Sequence, residues 1–330
     1  MKKFTCVILS AFLCILLSSC SLFSNYKGIS DTDSKVKVNT DGATFENEID
    51  FIAENKTQNN SSVYLTEDKF YYTTYDSENN FGDGSKLMVY NLRTGEITAP
   101  LSMHIGDISN FNYMNGKLYF TGYTNTQTDW GFCLFELDCE TYELKTIHQT
   151  PNTVDGISLA ACGDKLFYIA SENNQENIDY PGGFSLHMYE DGEDKIIDSQ
   201  PVKQGYSQFL RYDDKGAHIQ VEKYAACQRE IAGAEITGYS NYFVDSDGII
   251  TELADESYNT DSSVQNEKPS EEFKICADYK DYSIIENDII TENNDNTDCG
   301  YKYKAVYYLY DKQNDISYKL TEADYWYYYI

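Results

Sequence analysis

Few residues in this chain are of the types that do chemistry, and they are thinly spread. The four histidines, His104, His148, His187 and His218, stand far apart in sequence. His187 and His218 fall on strand-like patterns, where an imidazole is expected to be structural rather than a ligand. There is no His-Glu-x-x-His, no Gly-x-Ser-x-Gly, no phosphate-binding loop and no Gly-x-Gly-x-x-Gly opening a helix. No catalytic residue is assigned, and catalysis would require residues converging from distant parts of the chain. Asp76-Ser77-Glu78-Asn79-Asn80 with Gly82-Asp83-Gly84, and Asn294-Asp295-Asn296-Thr297-Asp298, supply the hard oxygen donors that calcium takes. Neither has the glycine and distal glutamate of an EF-hand loop, so no metal ligand is assigned and calcium is the only cofactor these loops suggest.

Aromatic rings can stack on sugars while acids and amides bind their hydroxyls. Most of the 31 tyrosines lie on strand patterns, where packing accounts for them. Trp130 beside Asp129 in a polar loop, and Tyr180 next to Pro181-Gly182-Gly183, are the residues placed for a ligand, and they are the candidate binding residues.

Cysteine chemistry starts at the N-terminus. Lys2 and Lys3 precede an apolar run from Phe4 to Leu17, too short for a comfortable membrane span and right for the central region of a signal peptide. Leu17-Ser18-Ser19-Cys20 follows and closely resembles the bacterial lipobox, which implies that Cys20 is lipidated and becomes the mature N-terminus. The expected organisation is a signal peptide over 1–19, lipidated Cys20 with a flexible tether over 20–42, and a folded domain over 43–330. The expected address is the extracytoplasmic face of the cell membrane. Of nine cysteines, Cys133, Cys139, Cys162, Cys227, Cys276 and Cys299 lie beyond Cys20. Export permits disulfides, but no Cys-x-x-Cys pair occurs and six cysteines allow fifteen connectivities, so no bond is assigned. Cys133 and Cys162 lie in apolar strand-like stretches that suit a buried free thiol.

The acids outnumber the bases 54 to 25, giving a net charge of −29 with no basic run. That excludes nucleic acid as a natural partner, because binding a phosphate backbone rests on clustered Lys and Arg. The acidity serves solubility and repels other anionic surfaces, and its sharper consequence is attraction of cations.

The elements that must position any site form a repeat. Lys69, Lys117 and Lys165 stand 48 residues apart, each opening a Lys-aromatic strand. This period fits a four-stranded propeller blade and is too long for most helical repeats. A fourth copy fits Asp214 to Val221 with Tyr242 to Ile249, although its glycine and histidine depart from the pattern. A fifth fits Asp281 to Ile285 with Val306 to Asp311, displaced by a polar insertion near Tyr258 to Glu272. Glycine turns at Arg93 to Glu96, Glu190 to Glu193 and Asp245 to Gly248 read as hairpins. Polar loops at Asp76 to Ser85, Thr124 to Gly131, Ser171 to Gly183 and Glu292 to Gly300 separate the second and third strands of their repeats. Alternation from Phe45 to Phe51 predicts a strand before the first repeat. The aromatic end, Asp324 to Ile330, predicts a strand with no hairpin partner after it, which needs a neighbour to satisfy its backbone.

The expected fold is therefore an all-β propeller of five to six four-stranded blades closed by the terminal strands, with a pair of β-sandwiches as the alternative. The Lys-Leu-Tyr-Phe strand, the Leu-Tyr-x-Asp/Asn-Leu strand and the Thr-Gly-Glu turn resemble the repeats of propeller lipoproteins of Gram-positive bacteria. They are more distantly similar to YWTD-type and Tol-type propellers. The resemblance spans about Val63 to Leu320 and implies a fold and a tendency to bind, scaffold or sense, with no catalytic set to transfer. The expected function is a non-enzymatic binding or scaffold module for an extracytoplasmic protein or glycan, the alternative being a glycan-active hydrolase or lyase.

Overall fold

The computed structural model describes residues 37–39, 63–66, 68–75, 84–126, 129–150, 157–171, 184–197, 207–224, 236–253, 273–278, 281–293 and 300–328. These residues form strands and turns and no helix. After a short β1 (Lys37–Asn39), the strands fall into five consecutive four-stranded groups. The first is β2 (Tyr64–Leu65), β3 (Lys69–Tyr75), β4 (Gly84–Asn91) and β5 (Ile97–Thr98). The second is β6 (Ile105–Met114), β7 (Lys117–Thr126), β8 (Asp129–Asp138) and β9 (Leu144–Gln149). The third is β10 (Ser158–Cys162), β11 (Lys165–Ser171), β12 (Phe184–Glu190) and β13 (Glu193–Ile197). The fourth is β14 (Ser207–Asp213), β15 (Gly216–Tyr224), β16 (Ile236–Asp245) and β17 (Ile250–Leu253). The fifth is β18 (Lys274–Asp278), β19 (Tyr282–Asn293), β20 (Gly300–Asp311) and β21 (Ile316–Tyr328).

Each group is an antiparallel meander in chain order. The groups make four sheets, because β4 also pairs with β6 at Gly84–Gly106 and Ser85–Ile105, fusing the first two meanders. The expected repeats therefore exist as units of four strands.

The middle strands of the second meander are apolar on both faces because sheets flank them on both sides. On β7, Leu118 and Phe120 join Phe111, Phe135 and Leu137 in a cluster shared with the first meander. Tyr119, between them, points the other way into a cluster shared with the third and fourth meanders. Period-two alternation thus serves two cores at once. The outermost strands lack a sheet on one side, and β13 is correspondingly exposed over most of its length.

The recurring lysine is structural. Lys69 Nζ donates to the Cys139 carbonyl at 2.5 Å, and Lys165 Nζ to the Ser246 carbonyl at 2.8 Å. In each case a lysine opening the second strand of one meander reaches the third-to-fourth turn of the next. Lys117 instead pairs with buried Glu136 of its own meander at 2.7 Å. The recurring Asp/Asn that ends a third strand caps the turn that follows. Asn91, Asp138, Asp245 and Asp311 each accept two backbone N–H bonds through Oδ1. This is the Asx-turn chemistry that suits these side chains.

The chain end differs from expectation. The terminal aromatic segment is not an unpaired strand, because β21 begins at Ile316 and pairs with β20 along its length, from Asp311–Ile316 to Gly300–Tyr328. Its partner precedes it, across the turn at Lys312–Asp315, and pairs one edge of its backbone. Phe45 to Phe51 lies outside the described residues, whereas Lys37–Asn39, within the expected tether, pairs in parallel with Ile316–Tyr318. β21 also abuts the first meander. Tyr325 Oη donates to the Thr73 carbonyl at 2.6 Å, and Asp324 N donates to Thr74 Oγ1 at 3.0 Å. Phe70, Tyr72, Tyr307 and Leu309 share one core cluster across this contact.

Cys133, Cys139 and Cys162 are buried free thiols and Cys276 is a half-buried one, while Cys227 and Cys299 lie outside the described residues. Burial and the hydrogen-bonded Glu286 carboxylate push the Cys276 thiol well above its ordinary value.

Candidate functional site

Two polar groups stand out. The first lies where β9 of the second meander faces β11, β12 and β13 of the third. On β12, His187 is opposite Tyr168 of β11, and the rings stack with centroids 4.3 Å apart. The β12–β13 hairpin places Asp194 opposite Tyr189, diagonal to His187, so the carboxylate meets the imidazole. His187 Nδ1 lies 3.1 Å from both Asp194 oxygens, and its Nε2 lies 3.0 Å from Ser185 Oγ. Tyr168 Oη donates to Asp194 Oδ2 at 2.7 Å.

His148 reaches this group through a β-bulge. Leu134 pairs with His148 and Phe135 with Thr146, leaving Ile147 as an extra residue. A bulge re-aims the side chains around it. Lys145 donates to Tyr189 Oη at 2.9 Å, Ile147 packs on the cluster containing the third meander, and the His148 ring lies 5.2 Å from that of His187. One donor atom from each of His148, His187 and Asp194 lies within 4.8 Å of the others.

Ser185, His187 and Asp194 have the hydrogen-bond order of a nucleophilic triad, but their exposure is reversed. A hydrolase buries the acid and presents the hydroxyl to substrate. Here Ser185 and His187 are each 3% exposed and the carboxylate end faces solvent. The arrangement holds an imidazole in one orientation and gives substrate no path to Oγ.

The second group lies on β19, where Glu286 and Asp288 are two residues apart and so share a face. Cys276 Sγ donates to Glu286 Oε2 at 2.9 Å, and Lys274 Nζ is 3.7 Å from Oε1. Burial, then the neighbouring Glu286 charge, pushes the Asp288 carboxyl up to about 7. The two acids stand side by side on one strand. A glycosidase acid and base instead stand on opposite sides of a scissile bond, at least about 5 Å apart.

Of the candidates named from sequence, Asp129 and Trp130 are not in a loop. They open β8, paired with Thr126 and Asn125, so the hairpin is longer than its Thr- and Asn-rich composition suggested. Tyr180 and Cys20 lie outside the described residues, as do 76–83 and 294–299 of the two calcium-like loops. His104 is exposed, and His218 packs its ring edge-on against Phe243 at 5.1 Å. Sequence reading missed the association of His148 with Asp194. The hairpin turn at Asp191-Gly192 is a local signal that could have paired His187 with Asp194, whereas His148 arrives from another sheet.

No family model matches the chain. No curated protein matches it either, so the resemblance to Gram-positive propeller lipoproteins rests on the repeat pattern. Among solved structures, the chain is similar to the acylaminoacyl peptidase of Pyrococcus horikoshii at 12% identity and a TM-score of 0.41, over 79% of this chain and 45% of that one. It is similar to the β-propeller domain of the Trilobed protease from Pyrococcus furiosus at 11% identity and a TM-score of 0.41, over 80% and 84%. It is similar to TolB from Acinetobacter baumannii at 11% identity and a TM-score of 0.35, over 81% and 57%. The chain thus spans less than half of the acylaminoacyl peptidase.

Proposed function

We propose that this chain is a five-bladed β-propeller lipoprotein, anchored through Cys20 on the extracytoplasmic face of the membrane, that binds or scaffolds a protein or glycan. The observation that carries the binding reading is where the chain varies. Connections between second and third strands run from two residues, between β7 and β8, to twelve, between β11 and β12. The turns between third and fourth strands stay at two to five residues. In an antiparallel meander these two kinds of connection emerge at opposite ends, so in a propeller the variable ones gather on one face. Variable loops on a rigid scaffold are where recognition usually sits. Asp129 and Trp130 open the strand that leaves the shortest of these connections, so both fall on that face.

Two features support binding over turnover. The recurring lysines and capping acids are engaged in turn caps and in contacts within and between meanders, and the Ser185–His187–Asp194 alignment buries its hydroxyl. The contacts of β21 with Thr73 and Thr74 support closure of the ring between the first and fifth meanders. Two experiments test the reading. Cys20→Ser should abolish labelling by a fatty-acid analogue, and unchanged labelling removes the anchor. A glycan and surface-protein binding screen should return a ligand whose affinity falls in Trp130→Ala, and rapid product formation from any hit replaces the scaffold with an enzyme.

A further inference from the structure

We propose that His148, His187 and Asp194 bind a divalent first-row transition ion of the zinc type at the seam between the second and third meanders. This site is independent of the loop face and of its ligand. The donor set is two imidazoles and one carboxylate, which suits zinc and its neighbours and is poorly suited to calcium or magnesium. The Asp194 carboxylate oxygen is already 3.1 Å from His187 Nδ1, and all three donors fit within 4.8 Å. Tetrahedral zinc with bonds of about 2.0–2.1 Å holds its ligands roughly 3.3 Å apart. A modest rotation of half-buried His148 therefore completes the set, and a water or a ligand atom from solvent takes the fourth position.

The surroundings match what a metal site needs beyond its ligands. When Nδ1 of His187 gives its lone pair to the ion, the imidazole proton resides on Nε2 and is donated to Ser185 Oγ, which stands 3.0 Å away. Tyr168 Oη holds Asp194 Oδ2 at 2.7 Å, and its ring stacks on that of His187 and fixes the plane. Such outer partners orient ligands and are worth about 10–100-fold in affinity. Asp194 is the exposed member and His187 the buried one, so an ion enters from the carboxylate side. The net charge of −29 raises the local concentration of any cation. Because His148 belongs to one sheet and His187 and Asp194 to the next, the ion would clasp two repeats together.

The test is titration of Zn2+ and Co2+ into the full chain against a chromogenic chelator, with His148→Gln, Asp194→Asn and Tyr168→Phe alongside. Expected are one tightly bound equivalent of Zn2+ and visible Co2+ absorption typical of four-coordinate nitrogen and oxygen ligation. The wild-type thermal midpoint should rise with Zn2+, and excess Ca2+ should not displace the ion. His148→Gln and Asp194→Asn should abolish the Co2+ spectrum, and Tyr168→Phe should weaken binding by about 10–100-fold. The proposal is overturned if the wild type binds no Zn2+. It is equally overturned if the folded His148→Gln protein keeps both the affinity and the Co2+ spectrum, which would place the ion elsewhere on the acidic surface. Should a ligand variant fail to fold, the wild-type midpoint decides, and no rise with Zn2+ overturns it.

Discussion

Replacing Asp288 by asparagine should stabilise the protein at pH 8 and leave it almost unchanged at pH 4. Asp288 shares a face of β19 with buried Glu286, and its Oδ1 is buried without a hydrogen-bond partner among the described residues. Burial first and the Glu286 charge second lift its carboxyl from 3.8 to about 7, so the folded state keeps a proton that the unfolded chain releases. Between about pH 4 and 7 the folded protein therefore binds more protons, and stability falls as pH rises. The contribution is complete below the unfolded value and is lost as pH passes through about 7. At about 1.4 kcal/mol per pH unit, the shift sets a ceiling of roughly 4 kcal/mol. Partial exposure reduces this to roughly 1–2 kcal/mol. Asparagine has the same shape and does not ionise beside Glu286. Urea unfolding of both proteins at pH 4 and pH 8 should give a gap of about 1–2 kcal/mol at pH 8 that largely closes at pH 4. A gap independent of pH, or an Asp288→Asn protein less stable than wild type at pH 8, refutes the raised carboxyl as its cause.

Ending the chain at Glu322 should lower the thermal midpoint by about 10 °C or more, because it removes half of the β20–β21 ladder and the Asp324 and Tyr325 bonds to Thr73 and Thr74. The milder Tyr325→Phe should cost about 1–2 kcal/mol in urea unfolding, since it leaves the buried Thr73 carbonyl without this donor. Gly216→Ala should cost roughly 2–5 kcal/mol, read as a lower midpoint or loss of soluble protein. At Gly216 φ is +155°, and an added Cβ would lie 2.1 Å from the Val244 carbonyl oxygen.

The repeat was legible because its marker residues have fixed structural jobs. Lys69 and Lys165 recur at one period since each ties a second strand to the next meander's turn, and the Asp/Asn positions recur since each caps a turn. Gly216, which weakened the fourth copy as a pattern, is there because β15 starts too close to β16 for a side chain. Two features were hidden. The hairpin of Thr126 and Asp129 reads as loop because threonine and asparagine serve in strands and loops alike, and only the cross-strand register separates the two. The partnership of β21 with β20 was concealed because the turn between them, Lys312 to Asp315, carries no hairpin glycine.

The His148 group was illegible for a different reason, which bears on why it is there at all. Four meanders end their third strand on a capping Asn or Asp and then take a turn of four or five residues before the fourth strand. The third meander ends on Glu190 and turns through Asp191 and Gly192 alone, both at positive φ, the geometry of a two-residue hairpin. That shorter turn starts β13 early and sets Asp194 opposite Tyr189, within reach of His187. On the facing sheet, the bulge at Ile147 brings in His148. The short turn is not required by packing that the other repeats achieve without it, and with the bulge, of a kind that β21 also has at Leu320, it delivers polar side chains to the same point on one seam. Packing alone would favour the common turn in all five copies. A site that needs an imidazole and a carboxylate brought together accounts for why this copy departs from it.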